Sequence, residues 1–459
     1  MNILFLIILI LLTCYAYKIS GKDILSPWFI LCAMFLSVLI VVLLNTSKWE
    51  VTFYGYPVFL IICSLVMWGI GGGIGDLGKK RIKQNKSIKF YHRLQGYYPS
   101  FLFCIISFVS AVLYSLMQLQ GINFNSGITA GIRQIYENAI NNQGGRFIQN
   151  QLFEIVAALG YLSIYRLLVK AFILKKEDHL SYFVLAVPVF IFIYVTAIRT
   201  DRNIFIRACI YTAVLWIFFL RQRHMKNLNL KIIKSLALML AVALVIFYGL
   251  GKVKQYKSSF LDSMSIYGGS GLYNLNLYIN KYPSGIQNSG DSATFYTIKN
   301  VFARLGFIEK SSFERIDEFI SFETNSGFFY SSNVYTALKT YYYDYGILGM
   351  LIFPFISGML FEWFYRQINQ KKIGFSCVLY AALVYPIIYY PILEQMFNRV
   401  HFGLVYEIFW LTSMFYMVYG KYGLWRIRTV RYQVKDSVKE SNHVLKPFLE
   451  YEQGALIHE

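Results

Sequence analysis

The sequence predicts an all-α polytopic membrane protein with about eleven transmembrane helices, and three observations carry that fold class. The chain of 459 residues is 56% hydrophobic, 18% aromatic and only 15% charged, a balance too apolar for an ordinary soluble enzyme. Apolar stretches of roughly 20 residues, the length needed to cross a hydrocarbon core, recur from Ile3 to Tyr419. Lysines and arginines fall mainly between these stretches and crowd alternate loops, as a fixed orientation in a membrane requires.

Taken in order, the apolar runs cover residues 2–18, 27–44, 52–74, 97–119, 151–173, 180–198, 203–220, 232–250, 345–365, 374–393 and 402–419. The first lacks the basic start of a secretory signal, and Lys18 and Lys22 follow it. It therefore reads as an uncleaved span whose amino end lies outside. Lys79, Lys80, Arg81, Lys83, Lys86, Lys89 and Arg93 mark the loop after the third span as cytoplasmic, because inner loops collect positive charge. Parity then places Lys175 and Lys176, then Arg221, Arg223 and Lys226, then Arg366, Lys371 and Lys372, and the tail from Lys421 on that same side.

The expected organisation is one transmembrane domain over residues 1–419 and a basic cytoplasmic tail over 420–459. Two outer loops, 120–150 and 251–344, are too long to be turns, and loops of that size are usually functional or disordered. The longer one is rich in Tyr, Asn, Ser and Gly, as in Tyr267-Gly268-Gly269-Ser270-Gly271. That composition suits amphipathic helices and turns lying at the membrane surface, and its aromatics argue against disorder.

Several chemistries are excluded. The net charge of +20 is spread between apolar runs, whereas nucleic-acid binding needs it gathered on one face or tail. Cys14, Cys32, Cys63, Cys104, Cys209 and Cys377 all lie in expected spans, with no CxxC pair, so neither a disulfide framework nor a zinc site is expected. There is no GxxxxGK[ST] loop, no HExxH and no DxD-type acidic pair. Gly73-Ile74-Gly75-Asp76-Leu77-Gly78 fits GxGxxG, but it closes a span and follows no strand. Close helix packing accounts for such glycines better than a dinucleotide does. Without a nucleotide site or an evident metal, and with no cofactor expected, the driving force must come from an activated lipid substrate or an ion gradient.

Polar side chains at a membrane mouth are costly unless they pair or bind something. Arg199-Thr200-Asp201-Arg202-Asn203, with Arg207 about one helical turn deeper, sets several guanidiniums and one carboxylate at an outer mouth. Guanidinium is a permanently charged planar fork that grips phosphate oxygens bidentately. The competing explanation is an Arg–Asp pair knitting the sixth and seventh spans. His401 is the one histidine expected outside, beside Arg399 and near Glu394 and Glu407; an imidazole there has the proton affinity to take a proton from a sugar hydroxyl. Glu323-Thr324-Asn325, then Asn333, then Tyr341-Tyr342-Tyr343-Asp344-Tyr345-Gly346 form a second outer group. Flat aromatic faces beside a carboxylate suit a sugar, although an interfacial aromatic belt would also explain the tyrosines.

At these residues the chain resembles the oligosaccharide repeat unit polymerases, the O-antigen or Wzy-type polymerases. The resemblance is carried by Asn333-Val334-Tyr335-Thr336 followed by Tyr342-Tyr343-Asp344-Tyr345-Gly346-Ile347-Leu348-Gly349, by Tyr267-Gly268-Gly269 leading to Asn274-Leu275, and by Arg199-Thr200 after the sixth span. Arg133 and Gly144 match once an Arg-to-Gly spacing described for outer loops of some members.

What the resemblance implies is a GT-C-like membrane glycosyltransferase. It would move a growing glycan from its polyprenyl pyrophosphate carrier onto the sugar end of another lipid-linked repeat unit, outside the bacterial cytoplasmic membrane. Arg199, Arg202, Arg207 and Arg399 would then hold the pyrophosphate, with Arg133 and Arg146 as a second grip. His401, Asp344 or Glu323 would activate the acceptor hydroxyl, and Tyr341, Tyr343, Asn333 and Glu394 would line the sugar. The implied partners are polyprenyl-pyrophosphate-linked oligosaccharides, membrane lipids, and a chain-length regulator and flippase of the same pathway, but no nucleic acid. A ligase using the same donor, and a lipid-linked oligosaccharide flippase or ion-coupled transporter, are the alternatives.

Overall fold

The computed structural model describes residues 1–76, 87–92, 98–122, 127, 130–131, 133–135, 137, 147–174, 179–199, 201–222, 260–283, 285, 293–309, 319–325, 327–369, 374–398, 402–419 and 428–433. The expected span over 232–250, together with Arg146, Arg399 and His401, lies outside them, as does the side chain of Arg202.

Among the described residues, 8 helices are long and apolar enough to cross a membrane. They are α1 (Asn2–Ile19), α2 (Pro27–Leu44), α4 (Gly55–Asp76), α5 (Tyr98–Leu119), α6 (Phe147–Val169), α7 (His179–Arg199), α8 (Arg202–Gln222) and α11 (Ala337–Asn369), with the short α3 (Thr46–Trp49) between the second and third. The chain is therefore a multi-pass α-helical membrane protein. Their exposed flanks are apolar, for example Phe59, Phe108, Phe190 and Leu348, which is what a hydrocarbon solvent selects. The expected tenth span is two short apolar helices, α12 (Phe375–Leu383) and α13 (Tyr385–Tyr389), divided where Pro386 has no N–H to donate. The expected eleventh is α14 (Phe402–Tyr419).

Two local devices shape the bundle. Helix α2 begins with Pro27 at its first turn, a position where the missing N–H costs nothing, and the buried Glu362 of α11 reaches its amino end. One carboxyl oxygen accepts from Ser26 Oγ (3.0 Å) and from the Trp28 N–H (3.2 Å), placing a hydrogen-bond acceptor at the positive pole of the helix. Helices α4 and α11 touch backbone to backbone. A Cβ at Gly71 would stand 2.0 Å from the Phe355 carbonyl oxygen, and one at Gly358 would stand 2.1 Å from that of Trp68. The glycine-rich end of the third span is thus a helix-packing surface, in which Gly71 and Gly75 take part while Gly73 faces open space.

Helix α11 is not one rod. Gly346 has φ 59° and ψ −142°, and Tyr341 stacks on Phe353 with ring centroids 4.8 Å apart. Those residues would be about 18 Å apart along a continuous helix. Ala337–Tyr345 therefore folds back against the span that begins at Ile347.

The long segment before α11 contains α9 (Phe260–Lys281), α10 (Tyr296–Arg304) and a hairpin of β2 (Ile320–Glu323) and β3 (Phe329–Ser332) with Ile320 opposite Ser332. Helix α9 is buried at Ser270, Leu272–Asn276, Tyr278 and Ile279, so it is packed inside the protein and does not lie on the surface. Contacts gather this segment at one end of the bundle. Asn276 donates to the Thr52 carbonyl (2.9 Å) and accepts from the Tyr54 N–H (2.9 Å), Lys48 pairs with Asp262, and Glu50 accepts from the Asn325 backbone (2.7 Å) and side chain (3.1 Å). At the opposite end, Tyr365 donates to Asp23 (2.6 Å). A separate two-stranded antiparallel sheet pairs β1 (Ser87–His92) with β4 (Arg428–Gln433). It joins the basic loop after α4 to the basic tail, two segments expected on the same side.

Candidate functional site

The end of the bundle that receives the long segment also receives the Arg-rich turn between α7 and α8. Asp201 accepts from the Asn203 N–H at 3.0 Å and so caps α8, as an acidic residue at a helix start does. Arg199, at the carboxyl end of α7, is half-buried, and its guanidinium lies 4.2 Å over the Phe153 ring. Among the described residues no carboxylate lies within ion-pair distance of it. Among the described residues, Arg199 therefore takes no part in an Arg–Asp pair of the kind weighed from the sequence.

Arg207 is held differently. It forms an ion pair with Glu407 of α14, both side chains being almost wholly buried, and its guanidinium sits 4.3 Å from the Tyr385 ring centroid. The pair ties α8 to α14 and neutralises itself, leaving the Arg207 Nε buried without a hydrogen-bond partner. Arg133 is exposed and pairs with Glu137 (2.8 Å), one helical turn on.

The acid and aromatic group divides into residues used internally and residues left open. Asp344 accepts the N–H groups of Ala293 (2.9 Å) and Thr294 (2.6 Å), fixing the approach to α10. Tyr341 is fully buried and donates to Glu394 at 3.1 Å. Glu394 also accepts the backbone N–H groups of Met396 (2.8 Å), Phe397 (2.7 Å) and Asn398 (2.8 Å). It shapes the turn that leads toward Arg399 and His401. Burial pushes the Glu394 carboxyl above its ordinary range, against the opposite pull of its donors. Glu323, at the end of β2, and Asn333 are exposed.

Tyr343 belongs to an arrangement the sequence did not reveal. The buried Lys339 Nζ lies 5.1 Å from the ring of Tyr278, 4.9 Å from that of Tyr335 and 4.9 Å from that of Tyr343, an aromatic cage that suits a cation. In the sequence Glu407 stands only near His401, and its partner Arg207 is 200 residues away. No local signal links such a pair. Lys339 could have been noticed as a basic residue entering a tyrosine run, but Tyr278 is contributed by α9.

Two of the segments on which the resemblance rests, around Asn274 and around Val334, meet in space. Asn274 donates to the Val334 carbonyl at 2.8 Å and accepts from Tyr330 Oη at 2.7 Å. Ser270 and Ser332 share a hydroxyl–hydroxyl hydrogen bond of 2.8 Å. Compared with protein-family models, with curated proteins and with solved structures, the chain matches none.

Chemically, this end of the bundle offers a guanidinium on an aromatic face with no carboxylate partner among the described residues, an exposed carboxylate at Glu323 and an exposed amide at Asn333. Among the described residues no group of three or more His, Cys, Asp and Glu could hold a metal ion.

Proposed function

We propose that the chain polymerises polyprenyl-pyrophosphate-linked oligosaccharide repeat units on the outer face of a bacterial cytoplasmic membrane. The observation that carries this reading is Arg199. It is a permanent cation at the end of a membrane bundle, held on Phe153 with no carboxylate among the described residues within ion-pair distance, where the charged head of a lipid donor would lie. The convergence of Asn274 with the Val334 segment supports it further, since these stretches carry the resemblance to repeat unit polymerases.

In the proposed reaction the acceptor sugar hydroxyl attacks the anomeric carbon of the donor glycan. The new glycosidic bond forms as the bond to the lipid pyrophosphate breaks, and the hydroxyl proton passes to a base. Glu323 and His401 are the candidates, because Asp344 is already engaged by two backbone amides. Charge grows on the departing pyrophosphate, and donors aimed at such charge are usually the largest catalytic contribution. Arg199 would supply them with Arg202 and Arg399, while the Arg207–Glu407 pair holds α8 and α14 in place behind them.

The test is chain extension by purified protein in vesicles given one lipid-linked repeat unit, without nucleotide. Wild type should yield a ladder on the carrier lipid. Arg199→Ala should lose about 10²–10³ in rate, as removal of a donor to developing charge does, and Arg199→Lys should recover part of it. An unchanged ladder in Arg199→Ala would remove the assignment, and no ladder from wild type would remove the polymerase reading.

A further inference from the structure

The segment from Tyr296 to Ile308 has no role in the chemistry proposed above, yet it presents a distinctive surface. At 3.6 residues per turn, Ile298, Val301, Phe302 and Leu305 share one face of α10, while Lys299 and Asn300 lie off it. The helix ends in a tight cap. Gly306 adopts φ +79°, its N–H reaches the Ala303 carbonyl (3.1 Å), and the Phe307 N–H reaches the Phe302 carbonyl (2.9 Å). This pairing is the Schellman arrangement, which brings the residue after the glycine onto the last turn. The rings of Phe302 and Phe307 accordingly meet at 6.0 Å.

The resulting knob faces outward. Phe302, Leu305, Phe307 and Ile308 are all exposed, Phe307 to 72%. A rigid, contiguous group of large apolar side chains is unusual on a water-facing surface and marks an interaction site.

Its position indicates what covers it. The first turn of α10 is fastened to the top of the membrane bundle. Phe295 packs against Phe353 of α11 and Phe397, with centroids 5.9 and 6.0 Å away, and Thr297 Oγ1 bonds to Asn398. On α11 itself, Leu348 and Ile352, within about a turn and a half of Phe353, are exposed as part of the apolar flank of the spans. Helix α10 is thus fastened to the bundle at the level where α11 begins its crossing.

We propose that α10 and the Phe302–Phe307 cap lie in the lipid leaflet at this end of the bundle, as an interfacial amphipathic helix with its apolar face among acyl chains. Lys299, off that face, is placed to reach the headgroups with its charge while its stem stays apolar. This membrane anchoring is independent of the chemistry proposed above.

The experiment places the photoreactive residue benzoylphenylalanine at position 307, or at the exposed control position Asn333, in the full chain reconstituted into phosphatidylcholine–phosphatidylglycerol vesicles. Phospholipid adducts at 307 should exceed those at 333 several-fold after irradiation. Equal adduct levels would overturn the proposal, and so would an adduct of twice the mass of the chain, which would mean that a second copy covers the knob. Phe307→Trp gives a second readout. Its fluorescence, taken as the difference from wild type, should be quenched by lipids brominated on their acyl chains, and no added quenching would equally refute the assignment.

Discussion

The Arg207–Glu407 pair gives a sharp test of how the bundle is held. Both side chains are buried, at 9% and 7% exposure, and the guanidinium faces the Tyr385 ring at 4.3 Å. Arg207→Met strands the Glu407 carboxylate, and Glu407→Met strands the guanidinium. Breaking a buried pair from one side costs about 3–5 kcal/mol, whereas replacing both charges by apolar residues of similar volume is often neutral or stabilising. Each single substitution should therefore lower the folding equilibrium constant roughly 150- to 4,000-fold, with about 1.4 kcal/mol per tenfold. The double substitution should fall close to wild type. Reversible unfolding in mixed micelles with a rising fraction of dodecyl sulfate, followed by tryptophan fluorescence, measures all members of the cycle. A double substitution as damaging as the sum of the singles would mean no coupling, and the pair would not be the tie between α8 and α14.

Two further outcomes are expected. Gly358→Ala drives a Cβ to 2.1 Å from the Trp68 carbonyl oxygen and should destabilise by about 1–3 kcal/mol, as overpacking does. Gly73→Ala, which meets nothing within 4 Å, should be neutral or stabilise by up to about 1 kcal/mol through helix propensity; the same unfolding assay reads both. Burial raises the Glu394 carboxyl, so the folded state holds its proton more tightly than the unfolded chain does. The contribution of Glu394 to stability should be greatest below the ordinary carboxylate value of about 4. It should then fall as pH rises toward the raised value, and level off above it. Thermal unfolding of wild type and Glu394→Gln across that range checks this, since the substituted protein should lack that decline.

Hydropathy made most of the bundle legible, because a span must be apolar along its whole length whatever it packs against. The eight helices long enough to cross coincide with expected runs. Hydropathy could not show the break at Gly346, since Tyr345-Gly346-Ile347 stays apolar through it, and a glycine reads alike in a packed helix and in a turn. Nor could it show α9 as a buried helix. Asn274 and Asn276 look like surface residues until Val334, Tyr330, Thr52 and Tyr54 supply their hydrogen bonds.

The candidate site was legible in kind more than in role. The sequence sets arginines between two spans; Arg199 ends α7 with no carboxylate partner among the described residues, while Arg207 has a carboxylate 200 positions away. Asp344 and Tyr341 stood out in sequence as an acid among aromatics. The structure spends them on the Ala293–Thr294 backbone and on Glu394. Residue type advertised chemistry that only tertiary contacts could assign to scaffold or to surface.

Helices α4 and α11 meet at Gly71 and Gly358 with no side chain between their backbones. At those two points the joint holds no side chain that could change rotamer, and beside them the Trp68 ring stacks on Phe361, so the two helices are expected to move as a single strut. Spin labels on α4 and α11 should then report one fixed separation in the folded chain, and a spread of separations would show that the joint slides.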